Sequence, residues 1–185
     1  PFLLIGSSLP WLVVAFARRC FGASAMAWQA GLWCLVLPLA VSLGVLALPD
    51  VPLTVAIMLA LLALVRAMDE NRMRDWLLLG VWCAAGMYTK YTSLLLIAVL
   101  ALLLVGHAEG RRRLEGYGPY LALVTGLLLF WPHLLWLGAH DFQPFTYALS
   151  RAERVRHWHQ HASWPACFIS AQLLAVGLVS LLLWW

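Results

Sequence analysis

The sequence has few charges and very few acids. Charged residues make up 11% of its 185 residues, and only 8 of them are Asp or Glu. Soluble domains carry about 25% charged and about 45–50% apolar residues, whereas 64% of this chain is hydrophobic. A soluble fold of this length could not bury that much apolar surface, so the composition excludes a soluble globular domain and favours a membrane protein.

Several motifs are also missing. The chain has no GxxxxGK[ST], no GxGxxG and no HExxH, so an ATP-driven pump is not supported. The four cysteines form no CxxC or Cys/His pair, and we interpret them as small buried hydrophobic residues. The net charge of +4 is small, and we attribute it to asymmetry between loops and not to nucleic-acid binding.

Long apolar runs predict an all-α, polytopic transmembrane bundle of about seven segments. The segments are 2–17, 24–48, 51–65, two within 76–106, 118–138 and one that starts near 164. The run 76–106 is interrupted only by Lys90. As one helix it would be about 46 Å long and would place a lysine near the middle of a ~30 Å hydrocarbon core. We therefore predict a hairpin with Lys90 at its turn.

Basic residues divide unequally between alternate loops. One set holds eight: Arg18, Arg19, Arg66, Arg72, Arg74, Arg111, Arg112 and Arg113. The other holds four: Lys90, Arg151, Arg154 and Arg156. The positive-inside rule places the first set in the cytoplasm. Asp50, Lys90 and the loop 140–163 are then predicted on the outer side of a bacterial-type cytoplasmic membrane. We interpret the charged stretches 68–75 and 110–115 as solvated turns and topology signals.

Asp50 is the only acid before Met68. It has two interpretations at this point. The carboxylate can cap the N-terminus of the following helix, with Pro52 in the first turn. It can also bind or deprotonate an acceptor at the membrane face.

Lys90 likewise has two interpretations. A lysine between two apolar arms is costly unless it is solvated or paired. It is either an interfacial lysine flanked by tyrosines or an ammonium that holds a phosphate oxyanion.

A polar loop follows segment 118–138. Pro132 is expected to kink or end the helix near the surface. His157, His159 and His161 alternate, so a strand would place them on one face, where a metal site is conceivable. The other interpretation is an amphipathic, hydrated loop.

Four motifs, in order, resemble one family. Residues 49–53 with 66–67 and 74–80 resemble the bacterial dolichyl-phosphate-mannose–protein mannosyltransferases, a family that includes the aminoarabinose transferases acting on lipid A. Residues 86–92 resemble the family's Gly-x-x-(Ser/Thr)-Lys-Tyr-Thr turn. Residues 131–136 with 140–142 resemble Pro-x-x-x-Trp-Asn-x-x-His-(Asp/Gly), with Leu137 in place of Asn, and 168–173 resemble the start of the next helix.

The resemblance implies a GT-C glycosyltransferase fold. It also implies a polyprenyl-phosphate-linked sugar donor, a lipid, protein or glycan acceptor, and contact with membrane lipids. By this resemblance Asp50 is the candidate catalytic residue, and Lys90 and Tyr91 are candidates to bind the donor phosphate. The candidate substrate-loop contacts are His133, His140, Asp141 and Arg151. No residue is assigned to a metal, and the need for a divalent cation stays open.

The family carries an Asp-Glu motif in its first outer loop, and nothing before Asp50 here is acidic. We expect residues 1–185 to be part of one transmembrane domain that lacks this loop and any C-terminal domain, and to be inactive alone. Two other functions stay open. In a transporter or channel subunit, Asp50 and Lys90 would be a coupling or gating pair. In a non-catalytic scaffold, the outer loop would only bind a partner.

Overall fold

A computed structural model describes residues 2–22, 25–36, 49–151 and 158–184. Within these ranges the chain is helical and contains no strand, which confirms the all-α class. The helices are α1 (Phe2–Ser7), α2 (Leu9–Phe21), α3 (Ala25–Val36), α4 (Asp50–Glu70), α5 (Met73–Thr89), α6 (Ser93–Gly106), α7 (Ala108–Leu114), α8 (Gly118–Ala139), α9 (Gln143–Arg151) and α10 (Gln160–Trp184).

Three stretches of the described chain are long and apolar enough to cross a membrane: Leu4–Phe21, Asp50–Glu70 and Gly118–Ala139. Helices α6 and α7 pass the same test only as a pair, bent by 98° at His107, which raises the number to four. The polytopic, multi-pass class is therefore confirmed. The number of seven stays a prediction, and residues 37–48 of segment 24–48 lie outside the described residues.

The predicted hairpin is confirmed. Helix α5 ends at Thr89, α6 begins at Ser93, and Lys90 lies in the turn between them. Gly86 permits this tight return, because a Cβ there would lie 3.3 Å from the Cβ of Ser93. With 17 and 14 residues, the two arms are only about 26 and 21 Å long.

Helices α5 and α8 approach closely at a site of small residues. A Cβ on Gly80 would lie 2.9 Å from the Cβ of Thr125 and would overlap the carbonyl oxygen of Ala122. Small residues let two helix backbones approach in a membrane, where van der Waals contact is a main source of attraction between helices. Trp76, fully buried with Ala60 and Ala67, completes the apolar core at the start of α5.

Charged side chains join α2 to the C-terminal end of α4. Arg19 Nε lies 3.0 Å from Asp69 Oδ2, and Arg19 Nη2 lies 2.7 Å from Glu70 Oε1. Glu70 Oε2 also lies 2.8 Å from Arg72 Nη1. The acids of this stretch are thus more than solvated turn residues, since they connect two helices at the end of α4 opposite Asp50.

Two expectations about the later part of the chain have different outcomes. The helix does not end at Pro132, which was one of the two outcomes expected there, but continues to Ala139, in agreement with the predicted segment 118–138; a proline removes only one helix hydrogen bond, and membrane helices tolerate that loss. The segment 140–163 is not one long loop, since α9 forms within it and α10 begins at Gln160. Residues 152–157, including His157, Arg154 and Arg156, lie outside the described residues.

The chain divides into two compact units, residues 1–135 and 136–185. The first contains α1–α7 and most of α8. The second contains the last turn of α8 with α9 and α10.

Candidate functional site

An ion pair joins the start of α4 to the turn of the hairpin. Lys90 Nζ donates a hydrogen bond to Asp50 Oδ1 at 2.8 Å. The two side chains are 44% and 38% exposed, so the pair is open to solvent on one side. An ammonium carries three N–H donors. Asp50 takes one of them, so Lys90 can hold a second anionic group while it stays paired.

The capping interpretation of Asp50 is wrong for this structure. Asp50 is the first residue of α4, and the residue at the N-cap position is Pro49. Within the described residues its carboxylate accepts from Lys90 and from no backbone N–H. The carboxylate nevertheless lies in the first turn of α4, where the positive end of the helix dipole favours a negative charge.

A second polar pair holds the other side of the turn. The Tyr91 hydroxyl and His133 Nε2 of α8 are 2.7 Å apart and share a hydrogen bond. Lys90 has an extended backbone, with φ −163° and ψ 130°. Consecutive side chains leave such a backbone in different directions. Lys90 thus meets α4 while its neighbour Tyr91 meets α8.

Two aromatic residues that sequence reasoning missed complete this side. The Tyr88 hydroxyl donates to the Leu129 carbonyl at 2.9 Å. The rings of Tyr88, Phe130 and His133 contact one another, with the His133 centroid 5.4 Å from that of Tyr88 and 5.1 Å from that of Phe130, and with the last two 5.3 Å apart. The three-residue spacing of Phe130 and His133 within one predicted helix was the available signal, because it places both rings on one face.

The remaining predicted residues belong to the second unit. His140 Nδ1 lies 2.8 Å from the Trp136 carbonyl oxygen, and the two rings stack at 4.5 Å. Asp141 adopts a left-handed backbone, φ 49°, in the turn between α8 and α9. Arg151 ends α9, and its side chain lies outside the described part of the structure.

The alternating histidines do not lie on a strand where the structure describes them. His159 is in a turn, and His161 is in the first turn of α10. In the described ranges, no three His, Cys, Asp or Glu side chains form a group that could hold a metal ion.

The comparison with family models decides the affiliation. The model of the dolichyl-phosphate-mannose-protein mannosyltransferases matches residues 1–136. The chain belongs to this mannosyltransferase family. The matched range contains the Asp50–Lys90 pair and the Tyr91–His133 pair, whereas His140, Asp141 and Arg151 lie beyond it.

One curated relative is a lipopolysaccharide core galacturonosyltransferase, RgtA of Rhizobium johnstonii. It is 32% identical over 72 residues. The match covers 39% of this chain and 14% of the relative, so the chain spans a small part of that protein's length. No solved structure gives a significant match.

Proposed function

We propose that the full-length protein is a membrane glycosyltransferase that moves a sugar from a polyprenyl-phosphate donor to an acceptor. The site would face the outer side of the cytoplasmic membrane. The observation that carries the proposal is the 2.8 Å pair of Lys90 and Asp50, which brings a cation and a carboxylate to one end of the bundle. Membership of the mannosyltransferase family supports the reaction class.

Lys90 has the properties of a phosphate ligand. Breaking the bond between the anomeric carbon and the phosphate oxygen leaves the electron pair, and an added negative charge, on the polyprenyl phosphate. A fixed ammonium beside that oxygen stabilises the charge as it develops. The two N–H groups that Asp50 does not use can point to the phosphate, and the Tyr91 hydroxyl lies one residue further along the same turn.

Asp50 has the properties of a general base. It would take the proton of the acceptor hydroxyl while the acceptor oxygen bonds to the anomeric carbon. Its position in the first turn of α4 and its 2.8 Å contact with Lys90 hold the carboxylate in place before the substrate arrives. The phosphate and the acceptor hydroxyl would therefore bind on either side of one ion pair.

The name of the galacturonosyltransferase relative favours a glycolipid of the lipopolysaccharide kind among the three acceptor classes, lipid, protein and glycan. His140, Asp141 and Arg151 are proposed as contacts to substrate. The polar turn at Asp141, between two helices, is suited to such a contact.

The test is transfer of label in membranes that contain the full-length protein. Polyprenyl phosphates carrying different radiolabelled sugars are supplied in turn, and lipid, protein and glycan fractions are counted. Label should move from one donor into one fraction, and the Asp50→Asn protein should not move it. If no donor releases its sugar to any fraction while the protein is folded and inserted, the transferase proposal is wrong.

A further inference from the structure

The end of α5 and the turn that follows it make three side-chain hydrogen bonds to two other helices. Lys90 binds Asp50 of α4, Tyr91 binds His133 of α8, and Tyr88 binds the Leu129 carbonyl of α8. The arms of the hairpin do not by themselves fix where this turn points. The position of the Lys90 ammonium therefore depends on residues of α8 that do not touch it.

The direction of the bond between Tyr91 and His133 decides what Tyr91 can offer to a ligand. A tyrosine hydroxyl has one proton to donate, and a histidine Nε2 either carries a proton or accepts one. If Nε2 accepts, the Tyr91 proton is directed at His133. If Nε2 carries the proton, it donates to the Tyr91 oxygen, and the Tyr91 proton can be directed at an anion.

We propose that His133 is a positioning residue of the donor site. Its Nε2–H donates to the Tyr91 oxygen, and the Tyr91 hydroxyl then donates to the phosphate that Lys90 holds. This inference rests on the proposed function and adds to it a residue that does not touch the substrate. His133 acts through Tyr91, which lies between it and the phosphate.

The surroundings of His133 suit this role. The ring packs against both Tyr88 and Phe130, which also contact each other, so its orientation is held by an aromatic cluster. It projects from a helix, which places a side chain more reproducibly than a loop does. A side chain held in this way transmits its orientation to the Tyr91 hydroxyl over the 2.7 Å bond.

Four variants of the full-length protein test the assignment: His133→Leu, His133→Gln, Tyr91→Phe, and the double variant His133→Leu with Tyr91→Phe. Leu removes the donor and keeps an apolar side chain of similar bulk. Gln retains an N–H that can donate to the Tyr91 oxygen. Phe removes only the hydroxyl. The matched control is His107→Leu, at the far end of α6.

The measured quantities are KM for the polyprenyl-phosphate sugar donor, kcat, and the midpoint of thermal unfolding in detergent. His133→Leu and Tyr91→Phe should each raise the donor KM by about tenfold, the loss of one hydrogen bond to a charged group, with a smaller change in kcat. Gln should keep KM within about threefold of wild type. The double variant should be no worse than the poorer single variant, since both changes remove the same chain of bonds.

A wild-type donor KM in a folded His133→Leu protein or in Tyr91→Phe, or additive effects in the double variant, would overturn the proposal. So would a His133→Gln protein that unfolds like wild type but binds donor as poorly as His133→Leu. If His133→Leu fails to fold, the donor KM of Tyr91→Phe still tests whether the Tyr91 hydroxyl binds the phosphate. If the wild-type protein transfers no sugar, the proposed function is wrong. If the wild-type protein is active but its donor KM does not change when His133 is replaced, only the role of His133 is wrong.

Discussion

Lys90 and Asp50 lie 40 residues apart in the chain, and their side chains meet at 2.8 Å. The first is in the turn between α5 and α6, and the second begins α4. Each residue alone has an ordinary structural explanation, as an interfacial lysine or a residue of the first helical turn. Their contact makes the pair a candidate site, because ionisable residues are rare in the apolar segments of membrane proteins and often mark functional sites there.

Lys90→Met should leave the full-length protein folded but weaken its use of donor. Losing a charge-assisted contact to a phosphate costs about 1.5–3 kcal/mol, which corresponds to about a 10–100-fold higher donor KM. Donor titration of both proteins gives the comparison. The control is Arg112→Met, whose side chain is 79% exposed near the other end of α6. Unchanged donor KM and turnover in Lys90→Met would make Lys90 a purely interfacial residue.

Asp50→Asn should abolish most transfer while the protein inserts and purifies normally. Asparagine keeps the size of the side chain and can still accept from Lys90, so the turn should stay in place. It cannot accept a proton, and losing a proton-transfer group lowers the rate by roughly 10²-fold or more. The measurement is the initial rate at saturating donor.

Asp69→Asn is the matched control for that experiment, since Asp69 is an acid at the opposite end of α4 that pairs with Arg19. It should retain wild-type transfer. Near-wild-type transfer by the Asp50→Asn protein would remove Asp50 from the chemistry and return the search for a base to acids elsewhere in the full-length protein.

Residues 107–116 should be cytoplasmic, and residues 141–161 should face outward. The reason is the division of eight and four basic residues between the two sides. Single cysteines placed in each stretch, after replacement of Cys20, Cys34, Cys83 and Cys167, are treated with an impermeant thiol reagent on intact cells. Only the 141–161 positions should react before the cells are opened. Reaction at 107–116 from outside would reverse the orientation and move the proposed site to the cytoplasm.

Gly80→Ala should destabilise the bundle. The new Cβ would press on the Ala122 carbonyl and the Thr125 side chain, and such overpacking costs about 1–3 kcal/mol. Gly106→Ala is the control, because a Cβ there meets nothing within 4 Å. Thermal unfolding in detergent should show a lower midpoint for Gly80→Ala and no loss for Gly106→Ala. Equal midpoints would mean that α5 and α8 can move apart to make room for the added methyl group without a loss of stability.

The hairpin could be predicted from sequence, because a 31-residue apolar run is too long for the bilayer and a charged residue divides it near the middle. The helical class followed from composition for the same reason: a membrane leaves few structures that satisfy the backbone. Both features depend on whether a segment is apolar enough to lie in the membrane, and the residues of the segment itself show this.

The partners of the side chains could not be predicted in the same way. Whether Lys90 meets Asp50 depends on how α4 and α5 are rotated about their axes. A helix that is apolar on all sides does not specify that rotation. The bond between Tyr91 and His133 has the same origin, since it joins residues 42 positions apart on different elements. The sequence left open whether the helix ends or bends at Pro132, and the helix continues because a segment in the membrane has few other ways to satisfy its backbone hydrogen bonds.

The order of the two charges along the chain has a consequence for biosynthesis. A chain made from its N-terminus delivers α4, and with it Asp50, before the hairpin of α5 and α6 exists. In the proposed orientation, with Asp50 and Lys90 on the outer side, the turn with Lys90 would be carried across the hydrocarbon layer as a charged tip, which is its most costly stage. A carboxylate already on the far side gives the arriving ammonium an immediate partner and opposes its return. The same ion pair that is proposed to bind substrate would thereby also secure the insertion of the hairpin.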